Sequence, residues 1–278
     1  MKRKLVLLLS VLFILSASSC LAQLDLEQEV LVIPDTHDSE QYKWKKARNT
    51  RDYKVRMDHS PLIAGNATEF NFTVTTKTPK TINGMHVFIT DKGLNAFRHI
   101  SPESETGRYR FIFNAPSQGK YRFEFVFKTS EDGWINLSED VSIKEGVEKD
   151  MLQEQDKDYS VNVKLFPEKV YAEHVVTFLY EISHNGSPVK YPEEMEGADI
   201  LLASWDKSRR EFVCAGSRQN VDGQIAVSVV FMKPGTHRVF AEFRHNGKVR
   251  IFSHTVEVRD EALIDRGTFT DEDRSTYY

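Results

Sequence analysis

The sequence has little of the residues that would define several structural classes. Its 278 residues include only 14 Gly and 9 Pro, which excludes a collagen-like chain or an extensive low-complexity linker. Two Cys are too few for a disulfide scaffold. Basic residues, 37 Lys and Arg, do not outnumber the 41 Asp and Glu, and the net charge of −4 argues against non-specific nucleic-acid binding. An apolar fraction of 40% instead fits an ordinary globular protein.

Sequence signatures of catalysis are also missing. The chain has no Gly-x-Ser-x-Gly elbow, no phosphate-binding glycine loop, no His-Glu-x-x-His and no Cys-x-x-Cys. Three carboxylates cluster at Glu193, Glu194 and Glu196, but they fall in a predicted loop, where carboxylates are usually solvated. We therefore predict a protein that is not an enzyme and that has no cofactor.

The N-terminus has the three parts of a secretory signal peptide. A basic start, Lys2–Lys4, precedes the apolar run Leu5–Leu15 and a stretch of small residues that ends at Ala22. The apolar run is shorter than the roughly 20 residues that a membrane-spanning helix needs. No later segment is long or apolar enough to span a membrane, so we predict a secreted, extracellular protein without a transmembrane segment.

Two processing sites compete within this segment. Cys20 and Ala22 are small residues at positions −3 and −1 of a cleavage site that would leave Gln23 first. Alternatively, the stretch from Ala17 to Cys20 is similar to a bacterial lipobox, in which Cys20 would be acylated and the protein would be a lipoprotein or periplasmic. In either case the second thiol, Cys214, is expected to be a small buried apolar residue or to pair between chains.

Four Asn-x-Ser/Thr sequons favour a glycoprotein. They begin at Asn66, Asn71, Asn136 and Asn185, and none of these residues falls at a position that the strand pattern assigns to the core. Chance and turn chemistry are the alternative explanation, since Asn185-Gly186 also suits a type I′ hairpin turn.

The chain contains two copies of one unit. Matching positions recur in the same order at a spacing that drifts from 106 to 116 residues, as insertions in loops would cause. The matches are Asp52–Val55 with Asp158–Val161, Pro61 with Pro167, Phe72 with Phe178, Gly84–Ile89 with Gly197–Leu202, Phe97 with Phe212, Gly107 with Gly223 and Gly119 with Gly235. This order indicates an internal duplication.

Each copy shows the period of β-strands. Aromatic residues alternate with polar ones, as in Tyr109, Phe111 and Phe113, which indicates one buried and one wet face. Turn signals punctuate these runs at short, regular intervals, and no helical pattern separates them. The fold prediction is therefore all-β, with two tandem Ig-like antiparallel β-sandwich domains that fold separately. The predicted segments are a signal peptide at 1–22, a polar lead-in at 23–50, the sandwiches at 51–145 and 158–260, a linker at 146–157, and an acidic disordered tail at 261–278.

Copy one resembles the YtkA-like family of bacterial extracytoplasmic β-sandwich domains. The resemblance is carried by Met85-His86-Val87, by the turn Phe97-Arg98-His99-Ile100-Ser101-Pro102, and by the Gly-x-Tyr motifs at Gly107 and Gly119. It implies an association with copper or other metals, with His86 and His99 as ligands. Ser101 replaces the second His of the family's turn. In copy two, Asp199, Cys214 and Gly216 take the three equivalent positions.

Two functional hypotheses follow. The first is a secreted, non-enzymatic binding or structural protein of the extracellular-matrix type, whose partner is an extracellular or periplasmic protein or matrix component. The alternative is an extracytoplasmic accessory protein that handles copper or zinc through His86 and His99. Such metals prefer three or four N or S ligands, so Met85, Met57 or His59 would have to complete that site.

Overall fold

The computed structural model describes residues 52–146 and 156–260, and these ranges contain β-strands and no α-helix. The predicted signal peptide, both of its processing sites, the lead-in, most of the linker and the acidic tail lie outside the described residues. The all-β prediction is confirmed, as is the tandem arrangement of two antiparallel sandwiches.

The first sandwich packs two four-stranded sheets face to face. Its sheets have the strand orders β1-β3-β7-β6 and β5-β4-β8-β9, and β2 and β10 form a short parallel pair. The strands are β1 (Tyr53–His59), β2 (Ile63–Ala64), β3 (Ala67–Thr76), β4 (Ile82–Asp91), β5 (Phe97–Ile100), β6 (Glu103–Glu105), β7 (Arg108–Asn114), β8 (Gly119–Thr129), β9 (Gly133–Ile143) and β10 (Glu145–Gly146).

Phenylalanine dominates the first core. Phe70 and Phe111 stack across β3 and β7 with ring centroids 5.0 Å apart, and Phe123 from the facing sheet packs at 5.4 Å from Phe70. All three side chains are buried, as the alternating pattern predicts. Truncating one such ring to Ala typically destabilises a protein by about 3–5 kcal/mol, so these positions hold the sandwich together.

The second sandwich repeats this plan with two five-stranded sheets. The order is β11-β13-β18-β17 in one sheet, with β14 also paired to β13, and β12-β20-β19-β15-β16 in the other. The strands are β11 (Tyr159–Phe166), β12 (Val170–Tyr171), β13 (Val175–His184), β14 (Ser187–Pro188), β15 (Ile200–Asp206), β16 (Phe212–Ser217), β17 (Asn220–Val221), β18 (Gln224–Val230), β19 (Gly235–His245) and β20 (Lys248–Arg259).

The β13–β14 connection is the type I′ turn that its sequence predicts. Asn185 and Gly186 both have positive φ, at 50° and 76°. Those are the left-handed conformations that a two-residue hairpin turn requires, and Asn and Gly adopt them at low cost.

The duplication is visible in the loops at atomic detail. The Asp91 carboxylate accepts hydrogen bonds from the backbone of Asn95 at 2.7 Å and Ala96 at 2.8 Å. In the same loop of the second sandwich, Asp206 accepts hydrogen bonds from the residues four and five positions ahead, at 2.6 and 2.7 Å. Leu94 and its counterpart Arg209 share a φ of 56°. Two loops with the same hydrogen bonds and the same left-handed residue indicate one ancestral loop.

Strand register corrects one predicted equivalence. Val126 and Glu242 are each the eighth residue of their strands, β8 and β19. His86 pairs with Val126, whereas Leu201 pairs with Glu242. The counterpart of His86 is therefore Leu201 and not Asp199. The match of Gly84–Ile89 with Gly197–Leu202 is therefore two residues out of register with the strand pairing.

The prediction that each strand has one solvent-exposed face is wrong for several central strands. In β8 the alternate residues Glu124 and Val126 are buried together with the core-facing Phe123 and Phe125. The same two-sided burial occurs in β4, β15 and β19. These strands lie in the two sheets that pack against each other, so the outer face of the β4–β8 sheet is covered by the second sandwich and is not exposed to water.

Candidate functional site

The surface where the two sandwiches meet contains a group of buried, hydrogen-bonded polar residues, and we call it the seam. On each sheet it is built from alternate residues on the face that points away from that sandwich's own core. Its members are Phe88, Thr90, Phe97, His99, Glu124 and Val126 of the first sandwich and Ala203, Trp205, Phe212, Cys214, Phe240 and Glu242 of the second.

Aromatic rings form the apolar part of the seam. Phe97 stacks on Phe240 with ring centroids 4.7 Å apart and planes inclined by 11°, and it meets the edge of Trp205 at 6.0 Å. Phe88 packs against Phe212 at 5.4 Å. Offset and edge-to-face pairs of this kind add about 0.5–1.5 kcal/mol each beyond their area burial. The sandwiches are therefore joined by a third apolar cluster and not only by the linker.

A buried carboxylate, Glu124, lies within this apolar surface. It accepts hydrogen bonds from Ser138 and from Arg122 of its own sandwich, the latter at 3.2 Å, and from Trp205 Nε1 of the other sandwich at 3.3 Å. Burial raises the pKa of the Glu124 carboxyl, because desolvation penalises the charged form, and these hydrogen bonds offset only part of the penalty.

A chain of three titratable groups crosses the seam. His86 Nδ1 lies 3.1 Å from His99 Nε2, and His99 Nδ1 lies 2.8 Å from the Glu242 carboxylate. The side chains of His99 and Glu242 are only 5% and 4% exposed. The YtkA-like resemblance implies that His86 and His99 lie together, as they do. Their contact with Glu242 was not, because it depends on how the two copies pack.

His86 is held in its neutral form. Burial, and next the adjacent His99, lower the pKa of His86 to about 4, although Glu196 acts in the opposite direction. Glu196 itself crosses between the sandwiches by accepting a hydrogen bond from Ser101 at 2.8 Å. Ser101, the residue that replaces a His of the YtkA-like turn, therefore contributes to the contact between the sandwiches.

The three candidates for a further metal ligand lie elsewhere. Met85 points into the first core, on the opposite face of β4 from His86, and Met57 packs against the same core. His59 is exposed and bonds the Ser60 carbonyl at 2.9 Å. Within the described ranges, no group of three or more His, Cys, Asp or Glu side chains is arranged to hold a metal ion. His86 and His99 are thus a two-nitrogen pair.

The candidate residues of copy two do not converge. Cys214 is buried in the seam, and burial, followed by the nearby Glu242, raises the pKa of its thiol. Asp199 lies apart from the seam members, 3.9 Å from Arg218. The acidic loop is divided among separate partners: Glu193 accepts a bond from the Gly247 backbone, Glu194 pairs with Arg218 at 3.0 Å, and Glu196 bonds Ser101.

The sequons differ in accessibility. Asn66, Asn71 and Asn185 are exposed. Asn136 is half-buried on β9, where its side chain lies beside Glu124 at the seam. All four lie away from the strand positions that face the core, but the outward face of β9 at Asn136 belongs to the contact between the sandwiches.

The two copies have a common family relationship. A model of the family described as "Domain of unknown function (DUF8832)" matches residues 48–136 and 153–260. The chain belongs to this family. The two matched segments of this DUF8832 protein fall on the first and the second sandwich, and the first segment ends within β9. No curated protein matches the chain.

Solved structures with similar folds come from diverse proteins. A two-domain fibronectin type III segment of chicken tenascin is 10% identical, with a TM-score of 0.24, and the match covers 73% of this chain and 97% of that one. The fibronectin(III)-like modules of CbhA from Clostridium thermocellum are 15% identical, with a TM-score of 0.23 and coverages of 76% and 96%. Red sea bream transglutaminase is 9% identical, with a TM-score of 0.25; the match covers 75% of this chain but only 31% of the transglutaminase.

Within the described ranges the structure contains no helix with the length and hydropathy of a membrane span.

Proposed function

We propose that this protein is exported and acts as a non-enzymatic binding or structural protein, in which the two sandwiches form one block. The observation that carries the proposal is that the buried polar groups of the seam are already hydrogen-bonded to other groups of the protein. Its buried polar groups, Glu124, His99 and Glu242, are engaged with partners across or within the seam, where they join the sandwiches. Chemistry on a substrate would need such groups to face a cleft.

The outer face of the β1-β3-β7-β6 sheet is the surface that we propose for a partner. Ile112 is 63% exposed at its centre, and Arg110 beside it pairs with Glu103 and lies 3.8 Å from Glu69. An exposed apolar residue within a ring of both charges suits a protein or matrix partner better than a polyanion. Glycans at exposed sequons of this face, such as Asn71, would fit a matrix-type glycoprotein.

A photo-crosslinking experiment tests this surface. A photoreactive amino acid at Ile112, in the full chain expressed by its natural host, should give a discrete adduct, whereas the same group at the hairpin residue Val249, 44% exposed on the second sandwich, should not. A product at Val249 alone, or at neither site, would argue against the proposed face.

Export is tested separately by N-terminal sequencing, which should begin at Gln23. A lipid-modified Cys20 would instead indicate a membrane-anchored lipoprotein.

The metal-handling role implied by the YtkA-like resemblance is the second candidate, and one distance favours it. Two imidazole nitrogens 3.1 Å apart have the separation of neighbouring ligands on a zinc or copper ion, and the carboxylate behind His99 resembles the outer-shell partner of many metal-bound His residues. Only two nitrogens are present, so we expect loose binding. Calorimetric titration with Zn²⁺ or Cu²⁺ at neutral pH decides between the two functions. Tight one-to-one binding that is lost in the His86→Ala/His99→Ala variant would favour metal handling.

A further inference from the structure

We propose that the seam is a two-fold interface between two copies of one ancestral surface, and that its polar residues have diverged so that the first sandwich pairs with the second and rejects itself. The strand register makes the positions equivalent. Phe88 corresponds to Ala203, Thr90 to Trp205, Phe97 to Phe212, His99 to Cys214, Glu124 to Phe240, and Val126 to Glu242. All of these side chains are buried except that of Phe212, which is half-buried.

Two contacts across the seam have their reciprocal residues in the same apolar cluster, as a two-fold interface requires. In an isologous interface, each contact between positions i and j is matched by a second contact between j and i. His99 contacts Glu242, and the reciprocal pair, Val126 and Cys214, belongs to the same apolar cluster of the seam. Phe88 packs against Phe212. Its reciprocal pair, Phe97 and Ala203, belongs to that cluster as well. Each sandwich thus uses the same patch.

The polar residues break this symmetry. Glu242 finds its donor, His99, only on the first sandwich, since the second sandwich has Cys214 in the place of His99. Glu124 finds an indole donor only on the second sandwich, because Thr90 takes the place of Trp205 in the first. Each carboxylate therefore accepts a hydrogen bond from a group that its own copy lacks.

Pairs of identical sandwiches would lose these contacts. Two second sandwiches would place each Glu242 against Cys214 of the other, so that two buried carboxylates would lack a basic donor. Two first sandwiches would place His99 against Val126. Burying a carboxylate without its hydrogen-bond donor typically weakens an interface by about 30-fold or more. The diverged residues thus stabilise the mixed pair and destabilise pairs of identical sandwiches. Specific interfaces discriminate between partners by combining these two effects.

Cleavage of the folded full chain tests the pairing. A protease site inserted within residues 147–155 allows the chain to be cut after folding. Native mass spectrometry after dilution and re-equilibration then counts the three possible pairs. We expect the mixed pair alone. Separation of the halves on cleavage, or a statistical mixture of mixed and identical pairs, would overturn the proposal.

Substitutions at one position test the rejection. Glu242→Val places on the second sandwich the residue that the first has at this position, so pairs of two second halves should appear. Glu257→Val, an exposed carboxylate on β20, is the matched control and should leave only the mixed pair. Mixed pairs alone from Glu242→Val, with the affinity of the native halves, would show that the polar residues do not select the partner.

A second variant keeps the test valid if Glu242→Val does not fold. His99→Gln retains a polar side chain and lies in the other half, and it should weaken the mixed pair by about 10-fold or more. Unchanged affinity would contradict the proposed role of His99. Accessibility of the Cys214 thiol gives an independent readout, because the thiol is buried only while the seam is closed.

Discussion

Trp205 of the second sandwich donates its indole N–H to Glu124 of the first at 3.3 Å, within a surface that is otherwise largely apolar. Both side chains are almost fully buried. Burying a charged carboxylate costs free energy of desolvation, and removing it leaves its hydrogen-bond donors unsatisfied, which also costs free energy. Different substitutions of Glu124 can separate these two contributions.

Glu124→Ala should lower the free energy of unfolding by about 2–4 kcal/mol, because Trp205 and Arg122 would lose their acceptor and a cavity would form. Glu124→Gln keeps an acceptor without the buried charge, and we expect a loss of less than about 1 kcal/mol at neutral pH. Urea denaturation measures both. Glu103→Ala, which removes an exposed ion pair with Arg110, is the control and should change little. Equal losses for Ala and Gln would mean that the charge itself is required.

The pKa of His86 predicts that acid destabilises the fold. The folded-state pKa of about 4 lies below the ordinary value of 6.5, so between these values the unfolded chain binds more protons at this residue. Stability should therefore fall as the pH drops from 6.5 to 4, by about 2–3 kcal/mol from His86 alone. The groups that face His86 are His99 and Glu196, with Glu242 beyond His99. Glu124 opposes the trend, because its raised pKa lets the folded state take up a proton first.

His86→Gln isolates this contribution. The variant should be less sensitive to acid than the native protein when urea unfolding is compared at pH 7 and pH 4.5. His59→Gln, which removes an exposed imidazole, should keep the native acid sensitivity. Parallel pH profiles for the native protein and His86→Gln would argue against a neutral, buried His86.

The fold could be predicted from sequence because each sandwich buries a simple alternating pattern. Tyr109, Phe111 and Phe113 point into the core and alternate with exposed Arg108, Arg110 and Ile112, so period two is sufficient there. The duplicated turns and the glycines that end the strands were readable for the same reason, since local backbone chemistry fixes them.

The seam could not be predicted in this way. Phe88 stands between the core residues Val87 and Ile89, and a continuous apolar run indicates burial on both faces without naming what covers the second face. Glu124, between Phe123 and Phe125, has the pattern of an ordinary outward-facing charge. Its partner Trp205 lies 81 residues away on the other copy, a separation at which local patterning carries no information.

The position of Asn136 predicts uneven use of the four sequons. A glycan on Asn136 would be attached to an amide beside Glu124 and would have to occupy the seam. If the host glycosylates the protein, glycopeptide mass spectrometry should therefore find glycans among Asn66, Asn71 and Asn185 only. Enzymatic removal of these glycans should leave the free energy of unfolding nearly unchanged. Occupancy at Asn136 in folded protein would contradict the seam as described.

The apolar cluster of the seam predicts that the sandwiches unfold together. Separating them would expose Phe97 and Phe240, which are 1% exposed in the pair, so neither sandwich keeps its full stability alone. This prediction competes with the sequence-based expectation that the two domains fold separately. Calorimetry of the full chain should show one transition whose calorimetric and van't Hoff enthalpies agree.

A substitution in the seam tests this coupling. Phe97→Ala, which removes the ring stacked on Phe240, should split that transition into two. Phe70→Ala, an equal truncation inside the first core, should lower the transition temperature without splitting it. Two transitions in the native protein would show that the seam does not couple the sandwiches, because a cluster of this size should otherwise contribute several kcal/mol to the shared stability.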